Sequence, residues 1–195
     1  MEYEIPTKIK NIMQTDTVKT AKALLGMKLI FNNQLLGKIV ETEAYLGSKD
    51  SASHSAGGHR TPKNEAMYLS AGHWYVYQIY GYNMLNFVTR PANIAEAVLI
   101  RALEIPGGKC IANGPGKLTK MAEITRQLNG EDIISSNLQL KIGSIPKKIA
   151  SRSRIGVTCT DSWKNRPLCF YVVGNQHVSK IAKQNFISDD QTWLN

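Results

Sequence analysis

Lys28-Leu29-Ile30-Phe31-Asn32-Asn33-Gln34-Leu35-Leu36-Gly37-Lys38-Ile39-Val40-Glu41-Thr42-Glu43-Ala44-Tyr45 reads as two strands joined by a turn. Lys28 to Phe31 is the first strand. Asn32-Asn33 tolerates the left-handed backbone of a tight hairpin turn, and Leu35 to Tyr45 returns as the partner. Upstream, Thr15 or Asp16 can cap a helix with apolar positions at Val18, Ala21, Leu24 and Leu25, and Gly26 ends it. Residues 1–14 read as a loosely held lead-in. Downstream, residues 46–60 form a polar loop rich in Ser, Gly, Ala and His, and loops of this length inside compact domains are often functional. Thr61-Pro62 can open a short helix, as N-cap and first helical residue. Strands are expected near 74–80, 84–90 and 96–103, a helix at 115–128 ending at Asn129-Gly130, and strands near 137–142 and 168–173. No repeat or linker divides the chain, so the expectation is one domain over residues 1–195. Its class is mixed α/β (α+β), with a largely antiparallel curved sheet flanked by helices.

The chain has 195 residues, enough to bury a core of its own. Its 24 Lys and Arg outnumber its 15 Asp and Glu, giving a net charge of +9. Such an excess favours polyanions, because each neutralised phosphate releases counterions; solubility alone also accounts for it. Cys110, Cys159 and Cys169 are odd in number and lack metal-site spacing, as expected of reduced structural thiols. No apolar run approaches a membrane span, and Met1 to Pro6 lacks the order of a secretory signal. The expected location is cytoplasmic, on the nucleoid in a bacterium, and not secreted.

Side chains alternate along a strand, so Ile39, Glu41, Glu43 and Tyr45 share one face and Val40, Thr42, Ala44 and Leu46 the other. A carboxylate on a dry, tyrosine-lined face resists ionisation and can serve as a general base. A solvated hairpin edge could carry the same glutamates. Arg101 stands in Ala97-Val98-Leu99-Ile100-Arg101-Ala102-Leu103-Glu104, a strand that otherwise reads as buried, where an arginine needs a partner. Glu43 or Glu41 could be that partner. In Trp74-Tyr75-Val76-Tyr77-Gln78-Ile79-Tyr80-Gly81, Tyr75 and Tyr77 share a face and Tyr80 joins them only if the chain bends at Gly81. These rings suit base stacking or an ordinary core. His54, His59 and His73 show no zinc-motif spacing, so no metal is expected. Ser151-Arg152-Ser153-Arg154 fits a phosphate contact or a solvated loop. Carboxylates, aromatic faces and positive charge together suggest an enzyme acting on nucleic-acid bases.

These segments, with Ala52-Ser53-His54-Ser55, Arg60-Thr61-Pro62-Lys63-Asn64, Gly114-Pro115-Gly116-Lys117-Leu118, Arg154-Ile155-Gly156-Val157 and Pro167-Leu168-Cys169-Phe170-Tyr171-Val172, resemble the alkyladenine (3-methyladenine) DNA glycosylases of mammalian type. The resemblance spans nearly the whole chain after about residue 15. It implies a monofunctional glycosylase that cuts the bond between a damaged purine and deoxyribose with water and no cofactor. By motif position, Glu43 is the general base, and Arg101 and the backbone carbonyl of Val172 help hold the water. Tyr45, His54, Tyr77 and Asn86 form the pocket of the flipped base, with Asn86 on its floor, and Tyr80 is the intercalating wedge. The implied partner is double-stranded DNA carrying alkylated purines (3-methyladenine, 7-methylguanine), with deaminated or etheno purines as further candidates. A monomer without membrane or obligate protein partner suffices. The rival readings are a non-catalytic nucleic-acid binding module, a nucleoside hydrolase and a metal-dependent nuclease.

Overall fold

The structure, a computed structural model, describes residues 4–11, 13–108 and 111–194. Helix α1 (Thr7–Lys10) and helix α2 (Thr17–Leu24) precede a long hairpin of β1 (Lys28–Phe31) and β2 (Gln34–Tyr45). The hairpin turns as its sequence requires, with Asn32 and Asn33 at φ of 49° and 63°. Asp16 caps α2 by accepting from the Lys19 amide at 2.9 Å. Gly26 follows at φ 84°, and a Cβ there would meet the Ser144 carbonyl oxygen at 1.9 Å. Close approach, as well as backbone sign, therefore demands glycine. The lead-in expected over 1–14 gives way among the described residues: Ile9 and Met13 are core side chains, because α1 packs on α2. Residues 1–3 and 12, and Cys110, lie outside the described residues.

Strands β3 (Trp74–Ile79), β4 (Tyr82–Val88) and β5 (Ala97–Glu104) extend one antiparallel sheet in the order β3-β4-β5-β2-β1-β6, with β6 at Leu138–Lys141. β2 is the axis of the fold. One edge bonds β5; the other is shared between β1, near its start, and β9 (Cys169–Val172), along Glu41 to Glu43. β8 (Ile149–Arg152) completes that side by pairing with β9. A separate ribbon joins β7 (Ile145–Pro146) to β10 (Trp193–Leu194). The fold is mixed α/β with a curved antiparallel sheet, as expected. Trp74 anchors its core: fully buried, it donates from Nε1 to the Leu138 carbonyl at 2.8 Å. Two expected helices shorten. The turn after Thr61-Pro62 is one 3-10 turn, Glu65–Tyr68, because Asn64 Oδ1 draws the Thr61 amide into a local bond. The other helix, α3, stops at Pro115–Met121, because Glu123 leaves helical geometry at φ 52°. Among the described residues no helix is long and apolar enough to cross a membrane.

Candidate active site

One row of the sheet passes through Glu43 and links β3, β4, β5, β2, β9 and β8. Antiparallel pairing sets Tyr75 of β3 opposite Asn86 of β4, Asn86 opposite Leu99 of β5, Leu99 opposite Glu43 of β2, Glu43 opposite Cys169 of β9, and Cys169 opposite Arg152 of β8. Directly paired residues project to the same face. Five successive pairings thus align chemistry drawn from distant segments of the chain, and this alignment needs the topology as well as the strands.

Glu43 lies fully buried at the middle of the row. Its Oε1 accepts from the Ile155 amide at 2.8 Å and faces Arg101 Nη1 at 3.2 Å. Its Oε2 accepts from the Tyr45 hydroxyl at 2.9 Å. Burial pushes its carboxyl above the ordinary range; Arg101, the Ile155 amide and Tyr45 pull it back, and Glu41 adds to the rise. Burial wins, leaving a carboxylate more basic than an exposed one. Arg101 also faces Glu41 Oε1, through Nε at 3.5 Å, so the partner left open by the sequence is both glutamates. Burial works against the Arg101 charge, but Glu43 and Glu41 outweigh it and hold the guanidinium ionised.

Tyr45 is a phenol in this site: burial and then Glu43 push its ionisation well up. The Arg154 guanidinium stands 4.7 Å from its ring centroid. His54 is lowered by burial and held neutral, with Nδ1 2.9 Å from the Tyr75 hydroxyl. The loop that carries it is pinned by Asn64, whose amide donates to the carbonyls of His54 and His59. The rings of His54 and Tyr77 lie 3.9 Å apart at 32°, so they stack on each other and offer one joint wall. Asn86 is rigid, its amide donating to the carbonyls of Tyr75 and Met84. Tyr80 stands apart. With Gly81 it forms the two-residue turn between β3 and β4, at φ of 48° and 80°, and its side chain is 94% exposed.

Two expectations are corrected. Val172 pairs with Ile149 of β8, and its carbonyl accepts from the Asn175 amide. Since Glu43 faces Cys169, Val172 lies three residues farther along β9, roughly 10 Å away. The backbone that reaches Glu43 is that of Ile155, in a segment without strand patterning. The pair Arg152 and Arg154 is not a free phosphate cluster. Arg152 binds Glu41 at 2.5 Å, and Arg154 grips the buried Asp50 through two bonds of 2.5 and 2.8 Å. Their alternation in sequence gave no hint of these acids more than a hundred residues upstream. Leu99, buried between Asn86 and Glu43, was also not singled out by its sequence.

A family model described as methylpurine-DNA glycosylase matches residues 11–176. A Staphylococcus epidermidis relative is 39% identical over 200 residues, covering 94% of this chain and 98% of its own. One from Staphylococcus carnosus is 40% identical over 195 residues, covering 91% and 95%. One from Listeria monocytogenes is 38% identical over 190 residues, covering 89% and 92%. All three are provisionally named 3-methyladenine DNA glycosylases. Agreement of this extent, over the segments that build the Glu43 row, means that the chain belongs to the methylpurine-DNA glycosylase family.

Proposed function

We propose that the chain removes 3-methyladenine and 7-methylguanine from duplex DNA by hydrolysing the N-glycosidic bond, with deaminated and etheno purines as a wider substrate class, and so initiates base excision repair on the bacterial chromosome. The observation that carries this reading is Glu43, a buried carboxylate with raised basicity held by three donors. Tyr80 sits where a two-residue turn normally carries Asn or Gly. A bulky residue in left-handed geometry is uncommon, and this one places a ring at the tip of a stiff hairpin. Such a ring enters the minor groove and fills the gap left by an extruded base. Tyr45 faces the base from one side and the His54–Tyr77 pair from the other. A methylated purine is cationic, which favours stacking on these rings. In the His54 tautomer that this function uses, Nδ1 accepts from the Tyr75 hydroxyl, so that Nε2–H meets the substrate. Asn86, with its amide fixed, opposes the exocyclic amine of guanine and so disfavours the unmodified base; 7-methylguanine is still released, because its cationic ring leaves without an acid.

In the hydrolysis, water oxygen bonds to C1′ as the C1′–N9 bond breaks and its electron pair leaves with the purine. Glu43 takes the proton from the water, and Arg101 orients it. The sugar develops oxocarbenium character, which the nearby carboxylate stabilises. A cationic base departs neutral, so this step needs no added acid. The test is base release from methylated duplex DNA with chelator present, by wild type and Glu43→Gln. The amide can still accept from Ile155 and donate to Tyr45, so the variant should fold and bind lesions. Release should fall by roughly a hundredfold or more. Near-normal turnover by the variant would remove Glu43 from its role, and lesion binding without release by wild type would favour the binding module.

A further inference from the structure

We propose that Glu41 is a positioning residue for the hydrolysis: by sharing Arg101 with Glu43, it keeps the guanidinium from closing as a fork on the general base. The proposal rests on the reading of Glu43 given above. Glu41 touches no part of the base pocket, yet it is fully buried and has more partners than Glu43. Its Oε1 meets Arg152 Nη2 at 2.5 Å, the Cys169 thiol at 3.4 Å and Arg101 Nε at 3.5 Å. Its Oε2 accepts from the Ser179 amide at 3.1 Å. Four separate segments therefore hold this carboxylate still.

An arginine facing one buried carboxylate tends to form two parallel hydrogen bonds, which stabilise the anion and make it a poor base. Arg101 does not do so here. It gives Glu43 a single contact at 3.2 Å, while its Nε is drawn toward Glu41 without completing a hydrogen bond. The β2–β5 ladder is regular from Lys38 to Ile39 and again from Thr42 to Tyr45; it slips only where Glu41 meets Ala102. Irregularities of this kind re-aim side chains beside active sites. The charged and titratable groups acting on Glu43 are Glu41 and Tyr45 on β2, Arg101 on β5, Cys169 on β9 and Arg154, which Asp50 holds; Arg152 on β8 lies one pairing beyond Cys169 and binds Glu41. Of the acids in that shell, Glu41 is the one that competes for Arg101. Its like charge also raises the basicity of Glu43.

The sharing predicts opposite effects from removing either member of the Glu41–Arg152 pair. In Glu41→Gln, Arg101 and the local field act on Glu43 alone, so Glu43 ionises more readily. In Arg152→Gln, Glu41 loses its strongest partner and pulls harder on Arg101, so Glu43 ionises less readily. Both are read from single-turnover release of 7-methylguanine from methylated duplex DNA at saturating enzyme, as a function of pH. Glu41→Gln should move the acid limb to lower pH and reduce the plateau on the order of tenfold to a hundredfold. Arg152→Gln should move that limb to higher pH. A Glu41 that only supports the fold would lower stability and leave the limb in place, and that result overturns the proposal. If Glu41→Gln does not fold, Arg152→Gln decides: an upward shift supports the sharing, and an unmoved or lowered limb rejects it. No release by wild type would overturn the glycosylase reading and this proposal together, whereas an active wild type with unmoved limbs rejects the sharing alone.

Discussion

Replacing Arg101 with methionine should destabilise the fold by about 3–5 kcal/mol near neutral pH, the scale for stripping one partner from a buried ion pair. Methionine follows the aliphatic stem of the side chain and fills most of its volume, so loss of charge dominates. Glu41 keeps Arg152 and the Ser179 amide. Glu43 keeps only the Ile155 amide and the Tyr45 hydroxyl, and no cation in contact. The unpaired charge is therefore that of Glu43. Its carboxyl, already raised by burial in the wild type, rises further in the variant. A group whose folded pKa exceeds its unfolded value contributes stability below the unfolded value, and that contribution is lost as pH climbs through the folded one. The deficit of the variant should thus be smallest near pH 4, where glutamate protonates in the unfolded chain. It should grow toward neutrality. Urea unfolding of both proteins at pH 5 and pH 8 measures it, and Arg101→Lys, which restores charge without the fork, should recover part of the loss. A deficit under about 1 kcal/mol, or one equal at both pH values, would mean that Glu43 does not depend on Arg101 for its charge.

Tyr80→Ala should leave the urea midpoint unchanged, because the side chain is 94% exposed. The same variant should lose the fluorescence rise of an ethenoadenine unstacking from duplex DNA, and retention of that signal would place the wedge elsewhere. Gly26→Ala should destabilise by roughly 3 kcal/mol or more, since left-handed backbone and a Cβ at 1.9 Å from the Ser144 carbonyl act together. A loss under about 1 kcal/mol would show that the backbone around Ser144 yields.

The hairpin from Lys28 to Tyr45 was readable because its signals are local: a pair of asparagines that accept positive φ, and alternation on either side. Arg101 was readable for an energetic reason, since a guanidinium inside an apolar strand demands a carboxylate wherever the chain finds one. What stayed hidden depends on pairing between distant segments. Ile155 reaches Glu43 across more than a hundred residues through a backbone N–H, a group that every residue other than proline possesses. Arg152 and Arg154 look alike in sequence and differ only in which acid the fold brings to them. β8 carries no apolar alternation, because its role is to extend the sheet at β9 and aim Arg152 inward. The sequence leaves a bend at Gly81 open but sets Tyr80 at the end of its strand, because a tyrosine contradicts turn chemistry, and that contradiction is where the proposed function lies.

The hairpin also explains how recognition can be tied to chemistry. Tyr80 at its tip is three residues from Tyr77, roughly 10 Å along β3, and Tyr75 and Asn86 form a direct cross-strand pair at its base. A wedge on a flexible loop could fill the duplex without bringing the vacated base anywhere in particular. On a paired ribbon whose base continues into β5 and β2, Tyr80, Tyr77 and Glu43 share one sheet. In the proposed function, insertion of Tyr80 is what sets the depth at which the base enters, and the Asn86–Leu99–Glu43 row is what sets where its glycosidic bond stops. Mispositioning by a single ångström can cost a hundredfold in rate. A continuous sheet is a physical answer to that demand, and it accounts for the placement of the carboxylate and its arginine on central strands rather than on the loop that carries His54.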